Sequence, residues 1–103
     1  MEPAFESGGA GMVSTVDDYM RFVQRLCNKG TLDGQRILKE ETVKYMSTAK
    51  LRPNLQACFD WKMEHWSGYS YANLNRVCID PGTARAITLK GEFGWDGWLG
   101  TYM

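Results

Sequence analysis

Tyr69-Ser70-Tyr71-Ala72-Asn73-Leu74-Asn75-Arg76-Val77-Cys78-Ile79-Asp80-Pro81-Gly82-Thr83 is the stretch on which the fold turns. Tyrosine, valine and isoleucine suit a pleated, half-buried surface, so residues 69–79 read as one strand. Asp80-Pro81-Gly82-Thr83 reads as a tight turn, with proline presetting one dihedral and glycine supplying a positive one. Beyond it, Arg85, Ile87 and Leu89 alternate with smaller residues in a returning strand. Residues 92–102 read as a third antiparallel strand, interrupted by Gly94, Gly97 and Gly100. Upstream, Trp61 and Met63 oppose Lys62 and Glu64 in a weaker strand pattern that Ser67-Gly68 ends.

Toward the N-terminus the period becomes helical. Val16, Tyr19, Met20, Val23, Leu26 and Cys27 follow the spacing of one helical face, with Arg21, Gln24 and Arg25 on the other. Ser14-Thr15-Val16-Asp17 resembles a capping box at the start. Asn28-Lys29-Gly30 stops the helix, with Gly30 expected as the left-handed cap. Asp33-Gly34, between short apolar stretches, reads as a tight hairpin turn. A shorter helix is expected over 40–47, with Val43 and Met46 inward and Glu40 and Glu41 in its first turn. Pro53 marks a loop across 48–59, and residues 1–11 read as a loop. Helices first and an antiparallel meander after them make the class α+β: one unit over 1–103, two helices packed on a three-stranded antiparallel sheet.

Composition narrows the function. A chain of 103 residues with 44% apolar side chains can bury one core, which excludes a disordered tail. Twelve basic residues balance twelve acidic ones, so no net field recruits nucleic acid or an anionic membrane. No apolar run approaches the roughly 20 residues of a membrane span. The acidic start, Met1-Glu2-Pro3-Ala4-Phe5-Glu6, does not read as a signal peptide, and the compartment is left undecided. Cys27, Cys58 and Cys78 are widely spaced and His65 is the sole histidine, so neither a disulfide framework nor a metal site is expected, and no cofactor. Cys27 and Cys78 are expected as small core residues.

Two stretches carry a resemblance. Ser7-Gly8-Gly9-Ala10-Gly11-Met12-Val13-Ser14-Thr15-Val16-Asp17-Asp18-Tyr19, continuing through Leu32-Asp33-Gly34 and Ile37-Leu38, is similar to the later part of serine β-lactamase-like proteins. Gly91-Glu92-Phe93-Gly94-Trp95-Asp96-Gly97-Trp98-Leu99-Gly100-Thr101-Tyr102 resembles the segment bearing that family's third motif. The family groups class C β-lactamases, penicillin-binding DD-peptidases and related esterases. The resemblance implies a partial β-lactamase-like fold and acyl transfer through a serine, using a Ser-x-x-Lys motif, often a Tyr-x-Asn motif, and a third motif of Lys-Thr-Gly or Trp-x-Gly type. Carried onto this chain, it implies that Trp95 walls the substrate pocket, Asp96 faces it and Gly97 keeps the edge open. The backbone amide of Trp98 would be the oxyanion donor. The substrate would be a β-lactam, a peptide or an ester.

In the family the first two motifs lie upstream of everything matched here, and its closing strand and terminal helix lie beyond Met103. The chain is therefore expected to be a C-terminal portion without its nucleophile, inactive alone, and to self-associate through exposed apolar surface or pair with a missing segment. Members are often exported, but nothing in these residues encodes export.

Ser47-Thr48-Ala49-Lys50 also fits Ser-x-x-Lys, and Tyr71-Ala72-Asn73 fits Tyr-x-Asn, in the family's order. The spacings are far shorter, however, and Ser47 closes a helix where the nucleophile should open one. Ser47, Lys50 and Tyr71 are therefore read as chance matches; a compact enzyme built on them is the competing reading. His65 is expected to be exposed or half-packed and Glu92 to be a solvated strand residue. Trp61, Trp66, Tyr69 and Tyr71 read as core or as uncovered surface. The alternative to a hydrolase fragment is a stand-alone ligand-binding or interaction module that uses Trp95, Trp98, Tyr69 and Tyr71 without catalysis.

Overall fold

Residues 13–97 are described by the computed structural model of the chain. They form an α+β unit of four helices and two small antiparallel sheets. Helix α1, Val16–Cys27, starts on Thr15, whose hydroxyl accepts from the Asp18 amide (3.2 Å) and donates to the Asp18 carboxylate (2.9 Å). The capping pair thus lies one residue later than Ser14 and Asp17. At the other end the Gly30 amide reaches the Arg25 carbonyl (2.7 Å) and the Lys29 amide the Leu26 carbonyl (3.0 Å). These two bonds make a Schellman closure in which Lys29 (φ 55°) is the left-handed residue next to the cap and Gly30, also at positive φ (90°), follows it.

Strands β1 (Thr31–Leu32) and β2 (Gln35–Arg36) form the expected hairpin, with Asp33 and Gly34 both at positive φ in its turn. Helix α2, Glu40–Met46, buries Val43 and ends on Ser47. The expected loop over 48–59 is instead largely a helix, α3 (Pro53–Lys62). Proline occupies its first turn, where the missing amide hydrogen costs nothing and φ is already helical. None of its side chains is fully buried, so no apolar stripe announced it. The strand expected around Trp61–Glu64 is the end of this helix and a 3₁₀ turn, Glu64–Trp66.

The expected long strand over 69–79 folds back on itself. Strand β3 (Tyr69–Tyr71) pairs with β4 (Arg76–Cys78) in the register Tyr69↔Cys78, Ser70↔Val77, Tyr71↔Arg76. The Ala72 amide bonds the Asn75 carbonyl (2.8 Å), the Asn75 side chain bonds the Asn73 carbonyl (2.9 Å), and Leu74 sits at φ 62° on the turn. Asp80-Pro81-Gly82-Thr83 opens a single helical turn, α4 (Pro81–Ala84). The Asp80 carboxylate caps it by accepting from the Gly82 and Thr83 amides, while the Thr83 hydroxyl donates to it at 2.6 Å. Those bonds, led by the one from the Thr83 side chain, hold the exposed Asp80 carboxyl below its usual range. Gly82 supplies no positive φ there; the left-handed residue is Arg85 (φ 52°), which closes the turn.

No strand forms over 85–89, where Ile87 and Leu89 are exposed. The third strand is short: β5, Phe93–Gly94, pairs with β4 as Val77↔Phe93 and Arg76↔Gly94. The rest of the strand expected to 102, from Trp98 onward, lies outside the described residues, as does the opening loop. The core takes Leu26 from α1, Leu32 from β1, Val43 from α2 and Tyr69, Val77 and Cys78 from the sheet. Cys78 is buried as expected, but Cys27 is exposed. Most of α1's apolar face is uncovered too: Val16 is 80% exposed and Met20 50%. A cleft of about 530 Å³ separates Val23, Leu26 and Cys27 from Leu89 and Phe93.

Candidate functional site

Trp95 and Asp96 directly follow β5, and their surroundings come from three other elements. The hairpin sets Tyr71 beside Trp95, with edge-to-face rings and centroids 5.6 Å apart. The 3₁₀ turn brings Trp66 against Trp95 as well, also edge-to-face at 4.8 Å. Such edge-on packing of aromatic quadrupoles is favourable beyond the area it buries. Behind Trp66 lie Phe59 of α3 (6.0 Å, stacked) and the exposed His65 (5.1 Å). Gln56 ties α3 to this sheet, its amide donating to the Tyr69 carbonyl (2.8 Å) and to Asp60 (2.7 Å). Trp61, named with this group from sequence, is 74% exposed, with Lys62 over its ring at 4.3 Å.

Asp96 does not stand free: its carboxylate lies 3.4 Å from a guanidinium nitrogen of Arg76. Glu92, expected to be solvated, is half-buried and 3.7 Å from the other terminal nitrogen of the same guanidinium. The Arg76 side chain is only 13% exposed and its guanidinium carbon stands 5.2 Å over the Tyr69 ring. Burial, then the Glu92 carboxylate, pushes the Tyr69 phenol above its usual value; the guanidinium opposes them. Gly97 is exposed beyond Asp96. Trp98, the expected oxyanion donor, lies outside the described residues.

Of the chance-match residues, Lys50 and Tyr71 meet through their backbones, the Lys50 amide donating to the Tyr71 carbonyl at 3.0 Å. The Ser47 hydroxyl donates to the Val43 carbonyl one helical turn back (2.9 Å), and the Lys50 ammonium sits 3.6 Å over the Tyr45 ring. Ser47's proton is thus engaged by backbone, and Lys50's charge is turned to an aromatic face. Among the described residues no cluster of three or more His, Cys, Asp or Glu side chains could hold a metal, and no helix is long and apolar enough to cross a membrane.

Sequence reasoning missed Arg76, Gln56 and Phe59. Arg76 had a faint signal, a cation within an apolar strand; the other two fell in a stretch read as loop.

No protein-family model matches the chain. It is similar to two Mycobacterium tuberculosis proteins, Uncharacterized protein MT1414 (strain CDC 1551 / Oshkosh) and Protein Rv1367c (strain ATCC 25618 / H37Rv). Each is 35% identical to it over 100 residues, which make up 97% of this chain and 25% of the relative. The chain therefore spans about a quarter of the length of the curated relatives it matches.

Proposed function

We propose that this chain is the part of a serine hydrolase, of the β-lactamase, DD-peptidase and esterase type, that carries the third-motif edge and not the nucleophile. The observation that carries the proposal is the position of Trp95-Asp96-Gly97. It follows β5, the last strand in the order β3–β4–β5 among the described residues, with Trp66 and Tyr71 packed edge-to-face on Trp95 and a residue without a side chain at its end. A substrate acyl group laid along such an edge meets backbone N–H donors, which stabilise charge developing on its oxygen in the transition state. Trp95, braced by Trp66 and Tyr71, supplies a rigid apolar wall, and Gly97 permits close approach. The serine that attacks comes from elsewhere in the longer protein. The uncovered apolar face of α1 supports the same reading.

The test has two arms. The purified chain is incubated with a penicillin and with an activated ester, and its intact mass is measured; no acyl adduct is expected. The chain is then grafted in place of the matching hundred residues of Protein Rv1367c. The graft is expected to be acylated on a serine outside this chain, with turnover reduced by Gly97→Val and by Trp95→Ala. An adduct on Ser47 of the chain alone overturns the proposal in favour of the compact enzyme. A folded graft that neither acylates nor turns over, beside an active parent, overturns it as well. The second reading, a binding module without catalysis, is favoured by the half-buried Trp66–Trp95–Tyr71 cluster. Its signature is saturable binding without turnover, abolished by Trp95→Ala.

A further inference from the structure

We infer that Arg76 is a positioning residue for the Trp95-Asp96-Gly97 edge, clamping that edge to β4 through the carboxylates of Glu92 and Asp96. The role given to the edge rests on the function proposed above; the clamp itself rests on geometry. The β4–β5 pairing ends at Gly94, and beyond it the described backbone makes only an isolated bridge, at Asp96. A two-residue strand is a weak anchor for the residues beyond its end. The Arg76 guanidinium bridges that gap. It stands 3.7 Å from Glu92, just before β5, and 3.4 Å from Asp96, two residues after it.

Those distances are ion pairs rather than aligned hydrogen bonds, and among the described residues the buried guanidinium nitrogen facing Asp96 has no hydrogen-bond partner. The attraction is therefore mainly Coulombic, and it is strengthened where water is excluded. Tyr69 excludes water from one face of the guanidinium, at 5.2 Å. A planar fork with five donors can address two carboxylates at once; a lysine, as a point charge, favours one. A buried cation is costly unless paired, so this arginine is tied to the carboxylates that bracket the edge. With both ends of the β5 segment tied to one side chain, Trp95, which lies between them, is held with its ring against Trp66 and Tyr71.

The clamp is tested on the whole chain, without substrate, by two-dimensional ¹H–¹⁵N NMR of the Trp95 indole N–H and the Gly97 amide. Arg76→Met is expected to shift or broaden both signals while the Val23 and Leu26 amides of α1 hold their positions. Asp96→Asn is expected to move the same two signals, and the double variant to resemble Arg76→Met alone, because the arginine substitution already removes the link to Asp96. Arg76→Lys should restore part of the native pattern. A folded Arg76→Met whose Trp95 and Gly97 signals stay native overturns the clamp, and so do fully additive effects of the two substitutions. Should Arg76→Met fail to fold, Asp96→Asn decides alone: unmoved signals overturn the inference. A hydrolytically silent graft bears on the proposed function and leaves these signals unaffected, so the two failures are separable.

Discussion

Gly68 and Gly34 form a matched pair on which the packing of the sheet can be weighed. Both have positive φ, +83° and +75°, where an L side chain is strained by about 1–2 kcal/mol. Alanine also restricts the unfolded chain, which returns about 0.4–1 kcal/mol. Gly34→Ala is therefore expected to cost about 1 kcal/mol, since a methyl there meets nothing within 4 Å. At Gly68 the same methyl would lie 2.4 Å from the Ala84 nitrogen and 2.5 Å from the Asp80 oxygen, both backbone atoms. Relief requires moving α4 away from β3. That movement loosens the bonds from the Ile79 and Asp80 amides to the Gly68 carbonyl, at 2.9 and 3.0 Å. Each contributes about 0.5–1.5 kcal/mol, so Gly68→Ala is expected to cost about 2–4 kcal/mol in all. Against a total stability of about 5–15 kcal/mol, that is a large fraction. Urea unfolding followed by far-UV circular dichroism is the assay. With a slope of about 1–1.5 kcal/mol/M, the Gly68→Ala midpoint should fall by about 2–3 M and that of Gly34→Ala by no more than about 1 M, at unchanged slope. Equal midpoints for the two variants would refute the close approach of β3 and α4.

Thr15→Ala should destabilise the chain by about 1 kcal/mol and Ser14→Ala by no more than about 0.5 kcal/mol, because the cap is Thr15; equal losses in a thermal melt would return the cap to Ser14. The lowered Asp80 carboxyl makes a contribution that is complete above the ordinary carboxylate range and is lost as pH falls through its lower folded value. The acid limb of a stability-against-pH curve should therefore flatten in Asp80→Asn, and a limb parallel to wild type would show that Asp80 does not shape it. Cys27 and Cys58 are exposed, whereas Cys78 is 1% exposed and burial, then the Glu92 carboxylate, pushes its thiol up. A thiol reagent should titrate Cys27 and Cys58 quickly in the native chain and Cys78 only on unfolding; native labelling of Cys78 at the rate of the other two would contradict that burial.

How much the sequence disclosed depended on how local the determinant was. Helix α1 was legible because its period, its hydroxyl cap and its stop lie within a single segment, and Asp33-Gly34 because that turn is set by two residues. The burial of α1 was not legible: its periodicity marks an apolar face, but whether another element covers that face depends on the rest of the molecule. Val16 and Met20 remain open to solvent. Helix α3 failed for the opposite reason, since Pro53 starts a helix as readily as it interrupts one and no stripe came after it to decide between the two.

The candidate site divides along the same line. Trp95-Asp96-Gly97 stood out as a motif, but the residues that brace it are brought together by one turn. On a continuous strand over 69–79, Tyr71 and Arg76 would be about 16 Å apart at roughly 3.3 Å per residue, too far for both to meet the residues around β5. With the turn at Asn73-Leu74-Asn75 they become direct cross-strand partners, and β4 then sets Arg76 opposite Gly94. Asn73 and Asn75 were the signal for that turn, being side chains that bond local backbone and tolerate unusual dihedrals. Leu74 masked it by continuing the apolar pattern, although it is 81% exposed at φ 62°. One exposed leucine between two asparagines therefore separates a strand on which Arg76 has no visible role from a hairpin that sets it between Glu92 and Asp96.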